Sequence, residues 1–198
     1  MTIVVRKAES PDIRPLAAAL ARAFEDDPVM RWLLPSSRLR RRLPALFELE
    51  LKYLHLPHGE VYTTADLSGG ALWGPPGKWQ TSPLSLLRAT PRLIFSLGTR
   101  IPIALSTIAK VEKVHPREAH WYLAVLGTEP ARQGKGIGSA LIAPILERCD
   151  QTETPAYLES SKESNIPFYN RHGFEVTGTI DLPRGGPRIW PMWREPRP

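Results

Sequence analysis

The stretch from Ala131 to Leu141, ARQGKGIGSAL, decides how the whole chain is interpreted. Glycine recurs there at alternate positions, Gly134, Gly136 and Gly138, directly before an apolar segment with helical spacing. Small residues at a helix N-terminus let backbone N–H groups approach an anion, and the helix dipole favours negative charge there. The stretch therefore predicts a loop that binds a phosphate-containing ligand.

The two commonest nucleotide-binding loops do not fit this stretch. A P-loop requires glycine five residues before Gly134, where Glu129 stands. It also requires serine or threonine after Lys135, where Gly136 stands. A dinucleotide fingerprint starting at Gly134 requires glycine or alanine at Ser139 and lies early in an alternating fold, whereas this loop lies late in a mixed pattern. A pyrophosphate carried by another ligand is the favoured interpretation, with a purely structural glycine turn as the alternative.

The length of the chain limits the number of domains, and its net charge limits the kinds of partner it attracts. The 198 residues are enough for one well-buried domain, so we expect a single domain over residues 1–198. The net charge of +6 suits an anionic ligand, although nucleic acids and membrane surfaces attract a basic protein as well. Charge alone does not choose between these partners.

Cysteine usage and the apolar segments indicate a cytoplasmic protein. Cys149 is the only cysteine and has no partner for an internal disulfide, and no Cys/His cluster has the spacing of a metal site. The N-terminal MTIVVRKAES has no signal-peptide core, and arginine and proline interrupt the apolar stretch 84–108. We therefore expect a soluble, unprocessed protein without a metal ion or a membrane partner.

Apolar periodicity and turn residues predict a mixed order of strands and helices. Strands are predicted at Ile3–Arg6, Val61–Thr64, Gly70–Trp73, His120–Leu126, Pro155–Ser160, Phe174–Leu182 and Arg188–Trp193, the second and third forming a hairpin. Helices are predicted from Ser10 to the acidic segment 25–28, and over Ser36–Leu54, Ile137–Arg148 and Ile166–Arg171. The Pro-punctuated helical stretch 75–116 between two strands predicts a lid or pocket wall.

A run of arginines lies in the second predicted helix, at Arg38, Arg40, Arg41 and Arg42. The run has no interleaved aromatic residues and matches no nucleic-acid-binding motif, so a solvated helix face is the favoured interpretation. We expect no nucleic-acid partner.

Two motifs resemble the GCN5-related N-acetyltransferase (GNAT) family. Residues Gln133 to Gly138, preceded by a strand and Glu129-Pro130, are similar to the Q/R-x-x-G-x-G/A motif with which that family binds the pyrophosphate of acetyl-CoA. NIPFYNRHGF, Asn165 to Phe174, resembles the second signature of the family, about thirty residues later and in the right order. The resemblance covers the last eighty residues well and the first 118 mainly in the order of elements.

The resemblance implies both a fold and an activity. The fold is the α/β (α+β) GNAT fold, a central mixed, mostly antiparallel sheet of six to seven strands flanked by helices, with splayed central strands and a helical excursion between strands 3 and 4. The activity is transfer of an acetyl group from acetyl-CoA to a primary amine of a small molecule, by direct attack of the amine on the thioester. An aminonucleoside-type antibiotic is one candidate acceptor, and a homodimer is one candidate assembly, with the oligomeric state left open.

The resemblance also implies which residues bind acetyl-CoA. The backbone at Leu126, Gly127 and Thr128 matches the strand end that pairs with the pantetheine arm, and Asn165 matches an asparagine that contacts the cofactor. The pyrophosphate loop corresponds to seven consecutive residues, Gln133, Gly134, Lys135, Gly136, Ile137, Gly138 and Ser139.

Two side chains match catalytic positions of the family. Tyr169 matches the tyrosine that protonates the departing thiolate, and a phenol with a pKa near 10 can donate to a thiolate of pKa roughly 8.5. Glu159 matches a position where some relatives carry the base that removes the proton of the amine. Strand alternation predicts that only one of Leu158 and Glu159 faces the core. His120, Glu118 and a water relay remain alternative bases.

The acceptor pocket is expected in the N-terminal half. Acidic and aromatic side chains there would suit a cationic amine on a flat or apolar body: Phe24, Asp26, Asp27, Trp32 and Trp73. The two tryptophans could equally fill the core. A non-catalytic acetyl-CoA-binding or regulatory module and a protein or peptide N-acetyltransferase are the alternative functions.

Overall fold

A mixed β-sheet lies at the centre of the computed structural model, which describes residues 3–34, 38–80 and 83–197. Its strands are β1 (Val5–Lys7), β2 (Val61–Thr64), β3 (Gly69–Gly74), β4 (Trp121–Thr128), β5 (Ala156–Ser160), β6 (Glu175–Val176), β7 (Ile180–Asp181) and β8 (Arg188–Arg194). The spatial order is β1-β2-β3-β4-β5-β8-β6, and β7 pairs with β8 outside this path. Of these pairings only β4 with β5 is parallel. The mixed, mostly antiparallel sheet and the β2–β3 hairpin are thus confirmed.

The sheet has one more strand than the six to seven expected, because the predicted strand Phe174–Leu182 is interrupted. Residues 177–179 leave the sheet between β6 and β7, and Gly178 lies at the centre of the break. Glycine weakens a strand because it has no side chain to pack, and it often marks a bend. The expectation of one continuous strand was therefore wrong in its middle.

Helices cover both faces of the sheet. They are α1 (Ile13–Ala23), α2 (Pro28–Leu33), α3 (Leu39–Leu49, extended by a π-helical turn Glu50–His55), α4 (Pro83–Leu97), α5 (Ile101–Val114), α6 (Ile137–Gln151) and α7 (Ile166–Arg171). Side chains alternate along β3: Ala71 and Trp73 pack in the cluster under α6, whereas Leu72 packs in the cluster under α1 and α3. The excursion predicted over 75–116 forms α4 and α5, and two residues of the predicted helix Ser36–Leu54, Ser36 and Ser37, lie outside the described residues.

The acidic segment after α1 begins a helix and does not end one. Helix α1 stops at Ala23, and Asp27 is the N-cap of α2, which was not predicted from the sequence. Its carboxylate oxygen Oδ1 accepts hydrogen bonds from the backbone N–H groups of Val29 and Met30, each at 2.9 Å. An acid at a helix N-terminus satisfies unpaired N–H groups and complements the dipole.

Replacement of this cap has a predicted cost in stability. Asp27→Ala is expected to lower the free energy of unfolding by about 1–2 kcal/mol, because two part-buried N–H groups lose their acceptor. Asp27→Asn is the matched control, since asparagine caps a helix about as well as aspartate while it carries no charge. Denaturant unfolding of both variants measures the difference. Equal losses in the two variants would contradict a capping role.

One helical stretch is long and apolar enough to cross a membrane when judged by length and composition alone. It spans 25 residues, Thr90–Val114, and includes the end of α4 and all of α5. Only 22 % of its most apolar window is buried, and Ile94, Phe95 and Leu105 are each more than half exposed. Core helices of soluble proteins meet the same criterion, so the stretch does not by itself establish a membrane span.

Candidate active site

The two central strands β4 and β5 separate after a short paired region. They pair only from Trp121 opposite Ala156 to Leu123 opposite Leu158, although β4 continues to Thr128. On its other edge β4 remains paired with β3 from Tyr122 to Thr128. The edge of β4 that faces β5 therefore presents unpaired backbone groups beyond Leu123, which confirms the predicted splay.

A β-bulge in β4 accounts for this separation. Leu72 pairs with Val125 and Trp73 pairs with Leu123, so that Ala124 is an extra residue on β4. A bulge bends the strand that carries it and increases its twist. The bend lies at the residue where β4 leaves β5, and it directs the end of β4 away from its neighbour.

A cleft of about 480 Å³ opens between the separated strands. Its walls come from the ends of β4 and β5, the glycine loop, the region after α1, and α7. Of the residues expected to bind the cofactor, all but Lys135 line it: Leu126, Gly127, Thr128, Gln133, Gly134, Gly136, Ile137, Gly138, Ser139 and Asn165. Lys135 is exposed, and its Nζ donates to the carbonyl oxygen of Ala131 at 3.2 Å.

The glycine loop has the backbone geometry of an anion site. Gly134 and Gly136 have φ angles of 72° and 82°, in the left-handed region that side chains other than glycine rarely adopt. Gly136 is the N-cap of α6, so the first N–H groups of that helix have no acceptor within the helix. A Cβ added to Gly138 would approach the ring of Phe168 to 3.3 Å. Because small residues leave these N–H groups uncovered, the loop fits a diphosphate.

Tyr169 on α7 presents a phenol to the same cleft. Its ring packs edge-on against Phe168 and Phe174, with centroids 5.1 and 6.0 Å away. Burial, and in second place the charge of Asp27, raise the pKa of this phenol well above its usual value. The group therefore keeps its proton at neutral pH and is available as a donor.

Glu159 on β5 lines the cleft near Tyr169. The Tyr122 hydroxyl donates to its Oε2 at 2.8 Å, while its Oε1 is buried without a hydrogen bond. A buried carboxylate oxygen without a donor is costly, so such an atom is a candidate for a functional role. The expectation that only one of Leu158 and Glu159 faces the core is confirmed, because Leu158 belongs to the core cluster under α6 and Glu159 belongs to none of the core clusters.

The predicted acceptor residues divide into two groups. Phe24, Asp26 and Asp27 line the cleft, but Trp32 and Trp73 do not. Trp73 is 0 % exposed in the core, which corrects its assignment to a ligand pocket. Trp32 packs against the small apolar cluster formed by Ile180, Leu182 and Ile189.

The two acids already have protein partners. Asp26 forms an ion pair with Lys162 at 2.6 Å, and Asp27 accepts from the Ser161 hydroxyl in addition to capping α2. Lys162, Ser161 and Arg171 line the cleft and were not predicted from the sequence. No local sequence pattern predicts these three residues as part of the site. Ser161 and Lys162 reach the cleft because they follow β5, and Arg171 reaches it because it lies in α7.

Other groups do not compete for a nucleophilic or metal-binding role. Burial raises the pKa of the Cys149 thiol to about 12, so it remains protonated at neutral pH. In the described part of the chain no three His, Cys, Asp or Glu side chains are grouped to hold a metal ion. Of the alternative bases, Glu118 is exposed and His120 is buried behind Glu159.

Comparisons with known proteins agree with this geometry. Residues 104–176 match a family model described as an acetyltransferase (GNAT) domain. An uncharacterized N-acetyltransferase of Schizosaccharomyces pombe is 33 % identical over 201 residues, which cover 94 % of this chain and 80 % of that protein. The crystal structure of histone acetyltransferase HPA2 and related acetyltransferase from Corynebacterium glutamicum is similar with a TM-score of 0.77, at 27 % identity, over 100 % of this chain and 98 % of that one. Arylalkylamine N-acetyltransferase 2 from Aedes aegypti shares the fold over the full length of both chains, with a TM-score of 0.70 at 14 % identity.

Proposed function

Because the chain belongs to the GNAT family of acetyltransferases and is an acyltransferase, we propose that it transfers the acetyl group of acetyl-CoA to a primary amine of a small molecule. The observation that carries the proposal is the position of Tyr169 and Glu159. Both line the cleft into which the glycine loop at the start of α6 opens. A diphosphate site, a proton donor and a carboxylate thus share one cavity.

The cleft offers a binding site for each part of acetyl-CoA. The unpaired edge of β4 from Ala124 to Thr128 can pair with the pantetheine amides as a neighbouring strand would. The N–H groups at the start of α6 can hold the diphosphate, and Arg132 and Arg171 add positive charge on the cleft wall. When bound, acetyl-CoA supplies an activated thioester to this site.

The two catalytic side chains have complementary roles in the proposal. The amine must be neutral to attack a thioester carbonyl, and Glu159 removes its proton directly or through one water. Tyr169 donates its proton to the sulfur that leaves as the carbon–sulfur bond breaks. Proton donors and acceptors of this kind each contribute roughly 100- to 10,000-fold to a rate.

The acceptor is proposed to be a cationic amine joined to an apolar body. Phe24 presents an aromatic ring to the cleft, and Asp27 and Glu159 add carboxylates to its wall, whereas the charge of Asp26 is offset by Lys162. An aminonucleoside is one proposed acceptor, because the sequences WYLAVLGTEPARQGKGIGSAL, YLESS and NIPFYNRHGF are similar to those of puromycin N-acetyltransferase. An antibiotic-resistance role would follow only from that acceptor.

A thiol-release assay tests the proposal. The protein and acetyl-CoA are incubated with aminonucleosides, arylalkylamines, agmatine and other polyamines, amino acids, and histone-tail peptides. Release above hydrolysis with one small amine class is the expected result. Release with peptides alone would indicate a protein acetyltransferase, and binding of acetyl-CoA without release would indicate a non-catalytic module.

A further inference from the structure

Two buried histidines form a chain of contacts that starts at Glu159, and neither lines the cleft. His115 follows α5 and His120 precedes β4, and their side chains are almost fully buried. The His115 Nδ1 atom lies 3.4 Å from the unpartnered Oε1 of Glu159. The His115 Nε2 lies 3.0 Å from the Nε2 of His120, whose Nδ1 lies 2.6 Å from the backbone carbonyl oxygen of Glu118.

The chemistry of these contacts decides which ring nitrogens carry hydrogen. A carbonyl oxygen can only accept, so the short contact with Glu118 requires a hydrogen on the Nδ1 of His120. Neutral His120 then has an unprotonated Nε2 and must accept the hydrogen of the His115 Nε2. Neutral His115 consequently has no hydrogen on Nδ1, the atom that faces Glu159.

Glu159 and His115 therefore present two acceptors to each other across 3.4 Å, with no hydrogen between them. The buried Oε1 of Glu159 consequently receives no hydrogen bond from His115, and the Tyr157 hydroxyl, also buried without a partner, is the other donor that interacts with Glu159. One proton added to Nδ1 would turn the contact into an ion pair, and a shortening of the 3.4 Å distance would then give a charge-assisted hydrogen bond, which is roughly twice as strong as a neutral one. The pair thus lacks one proton.

Four other titratable groups surround the pair. The titratable groups that face the pair are Tyr122 on β4, Tyr157 on β5, His120, and Glu50 from the π-helical turn, whose charge reaches Tyr122. Burial raises the pKa of both tyrosines and lowers the pKa of His120, so these three stay neutral near pH 7. Trp79 stacks on the His115 ring at 3.8 Å and restricts its rotation.

We infer that Glu159 and His115 act as one base and that His120, fixed by the Glu118 carbonyl, positions His115 for this role. The inference rests on the proposed function, in which Glu159 receives the proton of the amine. The N–H bond of the ammonium group breaks, its electron pair stays on the amine nitrogen, and the proton comes to lie between Oε1 and Nδ1. It returns to solvent through the cleft when the product leaves.

A test that does not require activity uses nitrogen-15 NMR of the five histidine rings in the intact chain. His120 is expected in the Nδ1–H form and neutral His115 in the Nε2–H form. In Glu159→Gln an amide replaces the carboxylate that faces the His115 Nδ1, so the signal of this nitrogen should shift while the signals of His58 stay unchanged. Opposite tautomers, or a His115 Nδ1 signal that is the same in both proteins, would overturn the inference.

Kinetics with the amine identified by the thiol-release assay provide the second test. His115→Asn is expected to lower kcat about 10-fold or more at neutral pH, with unchanged affinity for acetyl-CoA. The acidic limb of its pH–rate profile should move to lower pH, because Glu159 alone is a weaker base than the pair. His58→Asn, at an exposed histidine outside the cleft, is the matched control and should leave kcat and the pH–rate profile unchanged.

The outcomes separate this inference from the proposed function. A loss of kcat in His115→Asn that is equal at every pH would indicate a structural role for His115 and contradict the shared base. If no amine is acetylated, the proposed function fails, and the predicted tautomers of His115 and His120 are still decided by NMR. The expected tautomers together with the shifted pH profile support the inference.

Discussion

Gly136→Asp is expected to weaken acetyl-CoA binding by about 100-fold or more, which corresponds to about 2.8 kcal/mol. Two effects act in the same direction. Gly136 has a φ of 82°, and a non-glycine residue held in this region costs roughly 1–3 kcal/mol. The new carboxylate would also lie beside the free N–H groups at the start of α6, where it competes with and repels the diphosphate. Isothermal titration calorimetry with acetyl-CoA measures the loss.

Two further variants separate charge from backbone strain. Gly136→Asn introduces a side chain of the same size that tolerates the left-handed region and carries no charge, so a smaller loss is expected. Gly77→Asp places the same side chain at a φ of 72° in a turn outside the cleft, with no atom within 4 Å of the added Cβ. Gly77→Asp should lower the stability of the protein without changing its affinity for acetyl-CoA. Wild-type affinity in Gly136→Asp would exclude the glycine loop as the diphosphate site.

Tyr169→Phe is expected to lower kcat by roughly 100-fold or more while acetyl-CoA affinity changes little. Phenylalanine keeps the ring contacts with Phe168 and Phe174 and removes only the hydroxyl group. The thiolate must then leave without a proton donor, which raises the barrier for the chemical step alone. Steady-state kinetics together with equilibrium binding of acetyl-CoA distinguish a catalytic loss from a binding loss.

The matched control for this variant is Tyr62→Phe. Tyr62 lies in β2, is also buried and does not line the cleft. Its hydroxyl group donates to the Glu60 carboxylate at 3.0 Å. Its loss should lower stability by about 1 kcal/mol, as for one hydrogen bond, without affecting kcat. Unchanged turnover in Tyr169→Phe would remove Tyr169 from the role of general acid. If Tyr169→Phe lowers acetyl-CoA affinity by the same factor as turnover, the hydroxyl group binds the cofactor instead.

The glycine loop and α7 could be predicted from sequence because their signals are local. The backbone of Gly134 and Gly136 adopts angles that only glycine accepts easily, so the sequence itself records the turn. Helix α7 was predicted with its observed bounds, Ile166–Arg171, and Tyr169 follows from its place within the second motif. In each case a few consecutive residues carry the whole signal.

The environment of Glu159 could not be predicted in this way. Tyr122 is 37 residues away in the chain and His115 is 44 residues away, and only the pairing of β4 with β5 and the course of the chain after α5 bring them together. Neither contact has a local pattern, because hydrogen bonds between distant side chains depend on how elements pack. The sequence therefore supported Glu159 as a candidate base and left its partner unknown.

The acidic segment shows how packing decides between roles for one residue type. Aspartate is favoured both in solvated loops and at helix N-caps, so Asp27 was compatible with either position. The same holds for Trp73, whose aromatic side chain could line a pocket or fill a core. Its full burial in β3 settles that it fills the core.

The sequence by itself determined the mixed sheet, the glycine loop before α6 and the family, because backbone preferences and two local motifs specify them. The tertiary structure alone decided where the predicted splay begins, at the bulge at Ala124, and that the cleft opens there. It also decided which acids are already paired and which carboxylate oxygen lacks a donor. The physical reason is that pairing and burial depend on side chains that folding brings together from distant parts of the chain. The distances between these side chains in the folded protein determine the chemistry that each group can perform.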